Sequence, residues 1–250
     1  RRLELVSRCP GATDEIHASF DWDEFDNDAR YLSDVSNRWE SRPARELARH
    51  GTILRMSGLR AGWNERMFRR LCNRLLRLRP PFSEQADFRI HVESDEFPDY
   101  SGELRADFLD KAPYCAEAIF DGRQGIELRL GSGDWVRQPF AFPGGLECGP
   151  VRIRLHAFDL ETESLARMGP RLDVRSWLRE WSGISVYRDG FRVWPYGEPH
   201  DDWLRLDQRR VNNPTVKLSN NQIVGFVEIT RDGNPELRDQ TNREGLINNK

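Results

Sequence analysis

Lysine is almost missing from this chain: Lys111, Lys217 and Lys250 are its three, so 35 of its 38 basic residues are arginine. With 41 acidic residues the formal charge is −3, which excludes a protein that coats its whole surface with nucleic acid. A coding bias toward arginine accounts for most of the preference, although guanidinium forks also suit phosphate. Cysteine is scarce as well. Cys9, Cys72, Cys115 and Cys148 form no CxxC pair and have no histidine at metal-ligand spacing, so a disulfide framework and a zinc site are both excluded. No run approaches the roughly 18 to 20 apolar residues of a membrane-spanning helix, and mean hydropathy is −0.74. Arg1-Arg2 followed by a short alternating segment is unlike a secretory leader, so a reduced, cytoplasmic protein is expected. GxxxxGK, GxGxxG and GxSxG do not occur. The five histidines lie in unrelated contexts and build no triad.

What is present is an ordered series of short elements. Charge is uneven: from Asp14 to Asp34 eight acidic residues face one arginine, and from Arg60 to Arg79 seven arginines face Glu65 alone. Strands are expected at Arg2–Ser7, Ile16–Trp22, Tyr31–Trp39, Gly51–Leu59 and Phe88–Val92. Residues 64–79 read as a helix, with Phe68, Leu71, Cys72, Leu75 and Leu76 on one face. Asn64 is placed to cap it, Trp63 and Phe68 fit a hydrophobic staple, and Pro80-Pro81 stops it. Its arginines, Arg70, Arg74 and Arg77 among them, are expected outward. The acidic stretch Glu93–Asp99, with Pro98, suggests a boundary between a unit at 1–95 and one at 96–250. Further strands are expected at Tyr114–Phe120, Gly125–Leu130, Val151–Phe158 and Gln222–Thr230, with helices after Asp173 and near Asp201-Asp202. Ile184–Arg188 and Phe191–Trp194 flank Asp189-Gly190, a type I′ hairpin signal. The sum is an α+β chain.

The combination of His50-Gly51-Thr52-Ile53-Leu54 opening a strand, a capped helix directly after it, and Gln240-Thr241-Asn242-Arg243-Glu244 in a polar loop beyond the last strand resembles the GHKL superfamily of ATPases. That superfamily includes gyrase B, MutL, histidine kinases and the ninety-kilodalton heat-shock chaperones, the chaperone branch looking closest. The resemblance implies the C-terminal part of a Bergerat-type nucleotide-binding sandwich followed by a ribosomal-S-five-like transducer, or middle, domain with a left-handed βαβ crossover. It implies ATP as ligand with Mg2+ held mainly by a missing N-terminal part, a parent ATP hydrolase that dimerises, and a protein or nucleic-acid client. Gly51-Thr52 looks like the last ATP-site motif, its threonine serving the adenine. Gln240-Thr241-Asn242-Arg243-Glu244 is similar to the chaperones' Asn-x-Ser-Arg-Glu loop, Gln240 replacing the asparagine and Asn242 the serine. Arg243 would then contact the γ-phosphate, with Gln240 orienting a neighbouring oxygen. Lys217 is the alternative sensor, since gyrase and MutL use lysine.

The family's Glu-x-x-x-Asn helix and Asp-x-Gly-x-Gly turn do not occur upstream of Gly51, so the chain is expected to be inactive alone. Two other readings stay open. One is an arginine-rich nucleic-acid-binding module without nucleotide chemistry. The other is an interaction protein whose hairpin displays Tyr187, Phe191 and Trp194.

Overall fold

The computed structural model describes residues 1–26, 35–81, 88–123, 125–139, 148–161, 163–164, 174–198, 200–213, 217–238, 240 and 245–246. The chain is α+β and divides into two compact units, Arg1–Asn64 and Glu65–Lys250. Among the described residues no helix is long and apolar enough to cross a membrane.

The first unit is an antiparallel sheet of β1 (Arg2–Arg8), β2 (Asp14–Asp21), β3 (Arg38–Pro43) and β4 (Gly51–Ser57) in the order β3-β2-β1-β4. Register pairs Leu5 with Ala18 and Leu54, Ala18 with Trp39, Leu3 with Met56, and Ser7 with Ile16 and Thr52. Because side chains alternate along a strand, these residues share one face. That face is apolar yet open: Trp39 is 70 %, Met56 59 %, Leu54 57 % and Ile16 45 % exposed. The opposite face carries Val6, Arg8, Glu15 and His17, and there Val6 and Glu15 are buried.

The second unit begins with α1 (Glu65–Leu76), where Phe68 and Cys72 are buried as the periodicity predicts. The helix stops before Arg77, and here the expectation of an outward Arg77 is overturned: it is 5 % exposed. The chain turns at the helix end and carries the guanidinium inward, where Nη1 donates to the Glu180 carbonyl at 2.8 Å, Nη2 donates to the Gly197 carbonyl, and the group lies 5.8 Å from the Trp181 ring centroid. The strand expected at 88–92 is reduced to β5 (His91–Val92), paired with β6 (Gly102–Glu103) and not with the first sheet. The acidic stretch between them is a folded loop. Phe97 stacks on Phe68 with centroids 5.0 Å apart and Tyr100 meets the same ring edge-on at 5.9 Å. Those aromatic contacts tie residues 97–100 to α1, so the compact division falls after Asn64 rather than near residue 95.

The main sheet has seven strands: β7 (Tyr114–Phe120), β8 (Gly125–Leu130), β9 (Val136–Pro139), β10 (Val151–Ala157), β11 (Gly183–Arg188), β12 (Phe191–Val193) and β13 (Ile223–Ile229). Their order is β12-β11-β13-β10-β7-β8-β9, antiparallel except for the parallel pair β11 and β13. The hairpin forms as expected, with positive φ at both Asp189 (51°) and Gly190 (81°). α2 (Val174–Trp181) buries Val174, Leu178 and Trp181 in a core that includes Phe158, Tyr187, Val224 and Phe226. Tyr187 is therefore not displayed. It is fully buried, its hydroxyl donates to the Arg77 carbonyl at 2.9 Å, and burial pushes the phenol up to about 12. α3 (Leu206–Val211) starts later than Asp201-Asp202, and the Asp202 carboxylate accepts the amides of Leu206 and Asp207 at 2.7 and 2.9 Å.

Candidate functional site

Gly51 and Thr52 open β4 as the sequence pattern predicts. Thr52 Oγ1 lies 3.0 Å from Ser7 Oγ on the neighbouring strand, so two hydroxyls sit together at one end of the open apolar face. The segment leading into Gly51 is held from both sides. The Glu15 carboxylate accepts the backbone N–H groups of Arg45, Glu46 and Leu47 at 3.1 to 3.2 Å. Arg8 Nη1 donates to the carbonyls of Leu47 and Ala48 at 2.7 and 3.1 Å. Neither residue was picked out by sequence reasoning. The one visible signal was an acidic residue, Glu15, beside Ile16 in an otherwise alternating strand.

Glu15, His17 and Glu46 bring ligand-type atoms within 4.8 Å of one another. A cation fits poorly there, because both Glu15 oxygens already accept backbone N–H groups and the His17 ring nitrogen donates to Oε1 at 3.0 Å. Among the described residues no other such group occurs. Burial by itself would raise the Glu15 carboxyl, but the three backbone donors and His17 outweigh it and hold it at about 2. A carboxylate depressed in the folded state adds stability that is complete above its unfolded value near 4.5 and is lost as pH falls toward 2. Thermal melts of the chain between pH 5 and 2 should therefore show a steep acid loss, and Glu15→Gln should flatten it while lowering the midpoint at neutral pH. Equal pH slopes in the two proteins would rule out Glu15 as the source.

The remaining predicted residues belong to the second unit. Lys217 is exposed, on the path from α3 to β13, and its amide donates to the Asn213 carbonyl at 3.2 Å. Arg243, with Thr241, Asn242 and Glu244, lies outside the described residues. Gln240 lies within them and is bonded to Gly245 and Leu246. Its amide donates to the Gly245 carbonyl at 2.9 Å and its side-chain Nε2 to the Leu246 carbonyl at 3.2 Å. Leu246 in turn donates its amide to the Tyr196 hydroxyl at 3.4 Å and packs with Val186, Val193 and Ile229. Upstream, buried Asn234 bonds the Gly149 amide and the Pro150 carbonyl at 2.8 and 2.9 Å, which fixes the path out of β13. So residues 240 and 245–246 form an anchored base on the β11–β12–β13 end of the sheet. Tyr196 was missed from sequence, where it reads as one residue of a Pro-Tyr-Gly turn.

Comparison with known protein families and curated proteins finds no match for this chain. Hydrogen bonds join Gln240 to Gly245 and Leu246, and Thr52 to Ser7.

Below that base lies a buried ionic cluster. Glu198 Oε1 accepts from Arg192 Nη2 at 2.7 Å and lies 3.3 Å from Arg77 Nη1, so two guanidinium groups share one carboxylate. Burial, with Arg192 close by, pulls Arg77 down to about 10, partly offset by Glu198; it remains charged at neutral pH. Arg192 also donates to the Tyr196 carbonyl at 3.0 Å. Gly197 is required beside them. Its φ is +75°, and a Cβ there would lie 2.5 Å from the Ser185 amide nitrogen.

Proposed function

We propose that this chain is the C-terminal part of a GHKL-type nucleotide-binding domain with its transducer, acting in an ATP-driven conformational switch. The observation that carries the reading is the open apolar face of the first sheet. A sheet with one apolar face buries it against a second layer, and Leu54, Met56 and Trp39 remain more than half exposed. In this proposal the covering helices supply the Glu-x-x-x-Asn and Asp-x-Gly-x-Gly sequences that do not occur upstream of Gly51, and with them the Mg2+ ligands. Thr52 presents a small hydroxyl at the end of that face, paired with Ser7, where a base edge can be read without blocking the pocket.

In the second unit, Arg243 would contact the γ-phosphate from a loop whose base is fixed by Gln240, Gly245, Leu246 and Tyr196. A guanidinium suits that place because it presents several N–H groups from a rigid plane to a charge-spread phosphoryl group. Homodimerisation on ATP binding, and a protein or nucleic-acid client, complete the proposal. The assignment of a chaperone-like branch and of a left-handed crossover between β11 and β13 stays within it.

Two measurements test this reading. The purified 250-residue chain should hydrolyse ATP no faster than buffer, and magnesium-dependent turnover abolished by a substitution inside it would overturn the proposal. In a nucleotide-competent protein that contains the chain, Thr52→Val should weaken ADP binding by about three- to tenfold, the worth of one hydrogen bond. Unchanged ADP affinity would remove Thr52 from the site.

A further inference from the structure

The outer face of α1 poses a separate question. Arg66, Arg70 and Arg74 recur every fourth residue and so form one stripe, opposite the buried Phe68 and Cys72, with Arg69 on its flank. All four arginines are exposed, and among the described residues no carboxylate lies within ion-pair distance of any of them. Elsewhere on the surface several arginines do meet acids, as in Arg1–Asp23, Arg55–Glu46, Arg60–Asp26 and Arg137–Asp121. Like charges at this spacing repel along a helix, and acidic residues outnumber basic ones in the chain. A face that only needed solvation could have mixed signs.

We propose that this stripe docks on the sugar-phosphate backbone of double-stranded DNA. The charge is complementary, and guanidinium forks pair with phosphate oxygens bidentately. Successive stripe residues rise by roughly 6 Å, so Arg66 to Arg74 spans about 12 Å of helix axis, comparable with the width of the B-form major groove. A single strand is disfavoured, because such sites interleave aromatic side chains for base stacking and the exposed face of α1 has none. Duplex RNA is disfavoured because its deep, narrow major groove does not admit a helix face. Base readout is not part of the proposal. Asn73, the amide side chain on α1, is already bonded to Glu180 and so is not free to read an adenine, and the arginine contacts proposed are to phosphates, which carry no sequence preference.

The inference does not depend on nucleotide chemistry. It is tested by fluorescence anisotropy of a short labelled DNA duplex titrated with the whole chain across a salt series. Neutralising three to four phosphates should give a log–log salt slope of about −2.7 to −3.6. The variant Arg66→Gln/Arg70→Gln/Arg74→Gln should lose roughly three units of that slope, with an unchanged circular dichroism spectrum and melting midpoint. Arg209→Gln/Arg210→Gln, on exposed α3, should keep it. The proposal is overturned if the triple variant retains the slope, if the wild type shows none, or if a single strand, an RNA duplex or an acidic peptide binds more tightly than the DNA duplex.

Discussion

Arg77→Ala should destabilise the second unit by about 3–5 kcal/mol, the cost of breaking a buried charge cluster by removing one member. Arg77 is 5 % exposed and does three jobs at once. It satisfies the Glu180 and Gly197 carbonyls, it shares Glu198 with Arg192, and its plane covers Trp181. Truncation leaves two carbonyl acceptors without that donor and opens a cavity beside the Trp181 ring. Arg77→Lys should recover little, because a point charge cannot reach two carbonyls and a carboxylate in one plane. Arg70→Ala, on the exposed face of the same helix, should stay within about 0.5 kcal/mol. Urea unfolding followed by tryptophan fluorescence measures all three. A loss under about 1 kcal/mol for Arg77→Ala would mean that the cluster contributes little beyond packing.

That same residue marks where sequence reasoning ran out. Elements defined by local pattern were legible: β1, β2 and β4 of the first sheet, the amphipathic face of α1, and the Asp189-Gly190 hairpin are all set by residues near in sequence, whereas β3 is Arg38–Pro43 and shares only Arg38 and Trp39 with the strand expected at Tyr31–Trp39, its all-exposed polar run giving no alternation to read. What failed depended on distant partners. Arg77 follows the helical charge pattern, but its carbonyl partners lie 103 and 120 residues away. Likewise the acidic stretch 93–99 reads as a linker until Phe97 and Tyr100 are seen against Phe68. The strand start at Gly51-Thr52 was legible because glycine followed by a hydroxyl residue ahead of apolar residues is a local feature. Glu15, Arg8 and Tyr196 were not, because each acts on backbone atoms of a segment remote in sequence. Tyr187 was misjudged for a related reason. Its place in a hairpin suggested display, whereas α2 covers the strand that carries it.

Arg243→Ala should slow ATP hydrolysis by about 10²- to 10³-fold in a nucleotide-competent protein containing this chain, as removal of one transition-state donor does elsewhere. ADP affinity should stay nearly unchanged, since ADP lacks the group that Arg243 is proposed to contact. Arg243→Lys should restore only part of the rate, because an ammonium cannot reproduce the planar fork. The loop base gives an independent check. Gln240 ties residues 245 and 246 through two hydrogen bonds, and Tyr196 receives the Leu246 amide. Gln240→Ala and Tyr196→Phe should therefore lower kcat while leaving ADP binding intact, and each by less than Arg243→Ala, since they position the loop without touching phosphate. Lys217→Ala is the matched control. Lys217 is exposed and, among the described residues, shares no hydrogen bond with that base, so its loss should leave the rate within about twofold. If Lys217→Ala abolishes turnover while Arg243→Ala does not, the phosphate contact belongs to a gyrase-like lysine and the bonds of Gln240 to Gly245 and Leu246 serve the fold alone.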